Sequence, residues 1–292
     1  MSNLKSQISH LQSQLESVYP EDEAYGLAWW IVEELSGLSR TQLQFGCKDT
    51  AFLANMQEKT PEIISRLLHF EPIQYIFGHT VWNGLDLKLT PATLIPRPET
   101  AELVERILLK FPISKHQSPV RVLDIGTGSG CIAIALKKAH PEWQVTGMDI
   151  SPEAIEVAKE NARRNNVDVH FEVADILSPS MMEWEAQYDI VVSNPPYVCE
   201  SEKVSMKSNV LDYEPSTALF VPDDDPLMFY RRIAGLLANA HPETANDKWL
   251  FFEINEAFSA EMEDLLRELG YRDMVITRDI YGKDRIIEAR RR

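Results

Sequence analysis

The chain has 292 residues, 44% hydrophobic and 25% charged, the balance of a globular protein with room for one large domain or two modest ones. Its net charge of -16 argues against a protein that grips long stretches of phosphate backbone, for which clustered Lys and Arg are required. No apolar run is long enough to span a bilayer, and three scattered cysteines without a CxxC pair exclude a disulfide framework or a structural zinc site.

The first stretch, MSNLKSQISHLQSQLESVYP, has helical spacing and no secretory core, so a cytoplasmic protein is expected. EDEAYGLAWWIVEELSG continues the helical pattern and ends on Gly37, a suitable residue just past a helix end. TPEIISRLLHF predicts a helix that starts with Thr60 as cap and Pro61 in its first turn. Residues 1–72 are therefore expected to form a small helical bundle. YIFGHTVWNGLDLKLTP places Asn83-Gly84 between two short alternating runs, which predicts a β-hairpin, and residues 73–95 are expected to link the bundle to the rest. Two prolines bracket Arg97 before a helix beginning near Pro98, and PISKHQSP (Pro112 to Pro119) reads as a loop.

From Val120 strands and helices alternate. VRVLDI, WQVTGMDI, VDVHFEVADI, YDIVVSN and KWLFFEI read as strands, with helices at GCIAIALKKAH, SPEAIEVAKENARRN, PLMFYRRIAGLLANA and EAFSAEMEDLLRELG. YRDMVITRDI and DRIIEARR close the chain as a hairpin turning at Gly282. Seven strands in this order predict an α/β fold: a doubly wound, mostly parallel sheet covered on both faces, ending in an antiparallel hairpin. The Asp223-Asp224-Asp225 run reads as a solvated turn before a helix.

Three features converge at the carboxyl ends of these strands. Gly126, Gly128 and Gly130, with Thr127 and Ser129 between them, make a G-x-G-x-G turn between a strand and a helix, where glycines permit the turn and the close approach of a ligand. Asp124 precedes the turn, placed to hold an ammonium group or to order the loop. Asp149 ends the second strand about twenty residues on, the position of a ribose-binding acid in nucleoside-binding α/β folds, and Asp175 ends the third. The third feature is the corner Asn194-Pro195-Pro196-Tyr197, which ends the fourth strand with two residues that have no N–H to donate. The Asn194 side-chain carbonyl and the Pro195 backbone carbonyl are two acceptors for a planar –NH2 group, and Tyr197 offers a flat ring with a hydroxyl at its edge.

Asp124-Ile125-Gly126-Thr127-Gly128-Ser129-Gly130 together with Asn194-Pro195-Pro196-Tyr197 resembles the class I S-adenosylmethionine-dependent methyltransferases, with their Rossmann-like fold, that act on conjugated –NH2 nitrogens. EPIQYIFG, TPATLIPRPET, SNPPYV, YEPSTALF and GKDRI, in this order, resemble the HemK/PrmC family of N5-glutamine methyltransferases of peptide chain release factors. The resemblance covers nearly the whole chain past Glu71 and, in helical layout, the part before it. It implies S-adenosyl-L-methionine as cofactor, S-adenosyl-L-homocysteine as product, and the Gly-Gly-Gln loop of a release factor as substrate. It implies that Gly126 to Gly130 with Asp124 cradle the methionine end, that Asp149 binds the ribose, and that Asp175 and Ile176 border the adenine. Some relatives carry an aromatic residue where Ile176 stands. Asn194 to Tyr197 would hold the glutamine, with Asn194 also at the cofactor's methyl, and the segment from Arg97 to Thr100 would close over the cofactor. CESEKVSMKSNVLDYEPS, after the corner, is a candidate lid. A monomer with no stable nucleic-acid or membrane binding is expected. Neither a metal nor a dedicated general base is expected, and none of the seven histidines is placed to be one. A glutamine methyltransferase of a ribosomal protein shares this site; an adenine-N6 nucleic-acid methyltransferase shares the corner but not the acidic charge. A non-catalytic docking module is disfavoured by the intact Asn194 and glycine turn.

Overall fold

Apolar residues at three- and four-residue steps produce, among the described residues of the first 78 positions, five helices: α1 (Ser2–Leu15), α2 (Glu21–Ser36), α3 (Arg40–Gln44), α4 (Thr50–Leu68) and α5 (Ile73–Phe77). The computed structural model describes residues 2–45, 50–112, 120–179, 188–239 and 247–291. Leu11, Leu15, Ile31, Val32 and Leu67 are buried in a core formed by these helices. Gly37 ends α2 in the left-handed region at φ 66°, its N–H reaching the Glu33 carbonyl, and Ser39 with Gln42 forms a capping box on α3. Thr60 and Pro61 do not start a helix. Pro61 lies inside α4, which begins at Thr50. Continuous helical periodicity on both sides outweighs the one hydrogen bond that proline removes.

The chain divides into two compact units, Met1–Gly78 and His79–Arg292. The second opens with the hairpin β1 (His79–Trp82) and β2 (Leu85–Lys88), whose turn residues Asn83 and Gly84 both have positive φ, 48° and 72°. Trp82, Leu85 and Leu87 are buried with the helices of this unit, so the hairpin packs into its core.

Next come α6 (Pro98–Lys110), β3 (Arg121–Ile125), α7 (Cys131–Ala139), β4 (Gln144–Asp149), α8 (Pro152–Arg164), β5 (His170–Val173) and β6 (Ile190–Ser193). The loop expected at PISKHQSP lies, beyond Pro112, outside the described residues. After the corner the chain makes β7 (Val198–Cys199), α9 (Ser208–Leu211), β8 (Phe220–Val221), α10 (Met228–Asn239), β9 (Lys248–Glu253), α11 (Ser259–Glu268), β10 (Arg272–Arg278) and β11 (Asp284–Arg291). The candidate lid is built of short helical turns between β7 and β8. Asp223 is more than a solvated turn residue, since its carboxylate accepts from the Ser201 N–H and hydroxyl.

The main sheet has seven strands in the order β10-β11-β9-β6-β3-β4-β5. β9, β6, β3, β4 and β5 are mutually parallel, while β11 runs antiparallel to β9 and β10. Val122, Val192 and Phe251 face one core, which includes Leu103, Ile132 and Ile155 from α6, α7 and α8. Leu123, Val191 and Leu250 face the other, with Tyr230 and Ile233 of α10 and Met262 of α11. Strand order reverses between β3 and β6, which opens a crevice at their carboxyl ends.

Candidate functional site

The loop after β3 is built on positive φ at Gly126 (70°), Gly128 (53°) and Gly130 (80°). The Gly126 and Thr127 N–H groups both reach the Met148 carbonyl of β4, which folds the loop over the sheet's end. A Cβ on Gly130 would lie 3.0 Å from Ile134, 3.1 Å from Ala158 and 3.3 Å from Phe171, so this glycine serves packing. A Cβ on Gly126 would meet no protein atom within 4 Å, which leaves the space above the loop for a ligand. Gly147, on β4, is a further requirement of the loop: a Cβ there would lie 2.8 Å from Thr127 Oγ1 and 2.7 Å from Phe171.

Asp124 is fully buried beneath the loop. Its Oδ2 accepts from Thr127 Oγ1 at 2.6 Å and from the Ala133 N–H at 3.2 Å, so of its two expected tasks the structure shows the ordering of the loop. Burial pushes this carboxyl up to about 7. Asp149 accepts from the Gly128 N–H through Oδ2 and from the Ser151 N–H through Oδ1, each at 2.9 Å; the cap of α8 is Ser151 itself. Burial raises the Asp149 pKa as well. Asp175 does not end a strand. β5 stops at Val173, and Asp175 opens a turn in which its Oδ1 accepts from the Leu177 N–H. Arg232 of α10 anchors this turn by donating to the Ile176 and Ser178 carbonyls at 2.9 and 2.7 Å.

These elements enclose a cavity of about 450 Å³. Gly126, Thr127, Gly128 and Ser129 line it on one side, Asp149, Asp175 and Ile176 on a second, and Asn194, Pro195 and Pro196 on a third. Asp124, Gly130 and Tyr197 stand one layer behind that lining. Leu94, Pro96 and Thr100 complete the lining from the segment before and at the start of α6. That segment is pinned by the buried Glu214, which accepts from the Ile95 N–H at 3.1 Å and from Arg97 Nη2 at 2.5 Å. No described histidine lines the cavity. Cys131 does, but burial pushes its thiol up to about 12, which keeps it neutral and a poor nucleophile.

A model described as the PrmC N-terminal domain matches residues 7–78, and one described as the Methyltransferase small domain matches residues 105–212. A release factor glutamine methyltransferase of Bacteroides thetaiotaomicron is 43% identical over 97% of this chain and 98% of that protein. The chain belongs to the release factor glutamine methyltransferase family. A second relative bearing that name, from Flavobacterium psychrophilum, is 40% identical over 94% of each chain. Among solved structures, the human hMettl16 catalytic domain in complex with MAT2A 3'UTR hairpin 6 has a TM-score of 0.54 over 71% of this chain and 75% of that one; at 18% identity the likeness is one of fold.

Within the second unit of this release factor glutamine methyltransferase fold, TPATLIPRPET, SNPPYV, YEPSTALF and GKDRI come together in space. Thr100 of the PRPET block donates to Glu253 Oε2 at 2.8 Å, and Tyr197 of the corner donates to Glu253 Oε1 at 3.1 Å. Arg285 of GKDRI accepts through its carbonyl from the Ile254 N–H, next to Glu253. Burial, then the Glu253 charge, holds the Tyr197 phenol well above its ordinary value, so it stays a donor. Glu253 and Arg232 were not picked out, and Thr100 and Glu214 were read only as members of TPATLIPRPET and YEPSTALF, without roles of their own. The available signal for Glu253 was a carboxylate ending the apolar strand KWLFFEI, beside the crevice.

Proposed function

We propose that this chain transfers a methyl group from S-adenosyl-L-methionine to the side-chain amide nitrogen of the glutamine in the Gly-Gly-Gln loop of a peptide chain release factor. The observation that carries this reading is a single cavity lined on one side by the Gly126–Ser129 loop and on another by Asn194, Pro195 and Pro196, in a chain matched end to end by the Bacteroides relative. The open space over Gly126 and the acceptor Asp149 beside Gly128 fit a nucleoside-bearing cofactor. Gly126 to Ser129 would face its methionine end, with Asp124 and Gly130 supporting the loop from behind. Asp149 would take the ribose hydroxyls, and Asp175 with Ile176 would flank the adenine.

The bound cofactor supplies an electrophilic methyl group on a sulfonium. The protein's part is alignment, because an amide nitrogen is a weak nucleophile whose lone pair is shared with its carbonyl. Asn194 Oδ1 and the Pro195 carbonyl accept both hydrogens of the –NH2, which orients the nitrogen and favours the positive charge that grows on it. Holding the reacting atoms in line can supply up to about 7–11 kcal/mol. Tyr197, tied to Glu253, supports the corner from behind. Residues 1–72 would recognise the body of the release factor, residues 73–95 would join them to residues 96–292, and the latter would carry the chemistry. A separate core and a separate match for the first unit support this division.

Incubating the protein with S-adenosyl-L-methionine and a release factor, then measuring the Gly-Gly-Gln peptide by mass spectrometry, tests the reading. A gain of one methyl on the glutamine is expected. An unmodified release factor, with a ribosomal protein or DNA methylated instead, overturns it.

A further inference from the structure

Glu253 closes β9 directly behind the corner and is 1% exposed. Its two oxygens accept from two hydroxyls, Thr100 Oγ1 at 2.8 Å and the Tyr197 phenol at 3.1 Å. Thr100 Oγ1 in turn accepts from Asn194 Nδ2 at 3.3 Å. A hydroxyl has one hydrogen. Thr100 has given its hydrogen to Glu253, so toward Asn194 it can only accept. Asn194 must therefore turn its –NH2 to Thr100, which leaves Oδ1 without a protein donor among the described residues, on a side chain that lines the cavity.

We infer that Glu253 is a positioning residue which, acting through Thr100, makes Asn194 present an acceptor rather than a donor to the substrate. The inference rests on the proposed glutamine substrate, whose –NH2 needs acceptors. An inverted Asn194 would set –NH2 against –NH2. Only a carboxylate can accept from both hydroxyls. A glutamine at position 253 would have to offer its own –NH2 to Tyr197 or to Thr100. In the second case it would drive the Thr100 hydrogen toward Asn194 and turn that amide over.

The test compares wild type with Thr100→Val, Thr100→Ser and Glu253→Gln. Melting and S-adenosyl-L-homocysteine binding are measured first, then steady-state methylation of a release factor. Thr100→Val should bind S-adenosyl-L-homocysteine as wild type does and keep its KM for the release factor. Its kcat should fall on the order of 10²-fold, the scale of one lost transition-state hydrogen bond. Thr100→Ser should restore kcat to within a few-fold of wild type, and Glu253→Gln, whose –NH2 can face either hydroxyl, should lie between wild type and Thr100→Val. A wild-type kcat in Thr100→Val, or a Thr100→Ser enzyme as slow as Thr100→Val, overturns the inference. If Glu253→Gln melts below the assay temperature, the Thr100 pair decides alone. A wild-type enzyme that leaves release factor unmethylated marks the failure of the functional reading, and this inference falls with it.

Discussion

Asp124 carries a cost that depends on pH. It is fully buried, and burial lifts its pKa from the ordinary 3.8 to about 7. Between those values the folded protein holds a proton that the unfolded chain has released, so stability falls as pH rises through that window and levels off above it. Asn at this position can still accept from Thr127 and Ala133 through its oxygen. Urea melts of the free protein from pH 4 to pH 8 should show wild type losing stability relative to Asp124→Asn as pH rises; parallel curves would refute this. The glycines, Asp149 and Asn194 were legible because each lies at the end of a readable strand, within a short block. The roles of Thr100 and Glu253 were not, because their contact joins positions 153 residues apart: Thr100 was read only as the end of the TPATLIPRPET segment, and Glu253 sits in no block. Tyr197 was read as a ring facing substrate, whereas its hydroxyl is engaged from behind by Glu253.

At the scale of elements, α8 does more than cover the sheet. Asn161 donates through Nδ2 to the Lys88 carbonyl and accepts through Oδ1 from the Lys88 N–H, at 3.0 and 2.7 Å. One helical turn on, Asn165 does the same for Asp86, at 2.8 and 3.3 Å. Two amides at i and i+4 thus pair with the outer edge of β2. Asn161 Nδ2 also donates to the Ser129 carbonyl at 2.8 Å, which joins the hairpin to the glycine loop. Asn161→Leu strands three polar backbone groups and should cost about 3 kcal/mol in denaturant unfolding, with weaker S-adenosyl-L-homocysteine binding. A loss below about 1 kcal/mol would show the pairing to be incidental. The elements themselves were largely readable from periodicity and turn chemistry. The errors fell where a local signal competed with a longer one: Thr60-Pro61 reads as a helix start but lies within the longer periodicity of α4, and β5 ends before Asp175 because the chain there turns toward Arg232.

At the scale of the molecule, the two units have separate cores and separate family matches. Deleting residues 1–78 should leave S-adenosyl-L-homocysteine binding close to wild type and weaken release-factor binding at least tenfold, about 1.4 kcal/mol. Unchanged release-factor affinity would refute the proposed division of labour. The fold was legible as a whole because strand and helix alternation leaves few topologies for a doubly wound sheet. The boundary at Gly78 was less so, since a hairpin's burial depends on distant partners. That hairpin has a further consequence for the chain in a crowded solution. A two-stranded ribbon with an open edge is a template on which other chains can add strands and grow into aggregates. Asn161 and Asn165 occupy the edge of β2 with side-chain amides, which imitate a neighbouring strand without offering a ladder that can propagate.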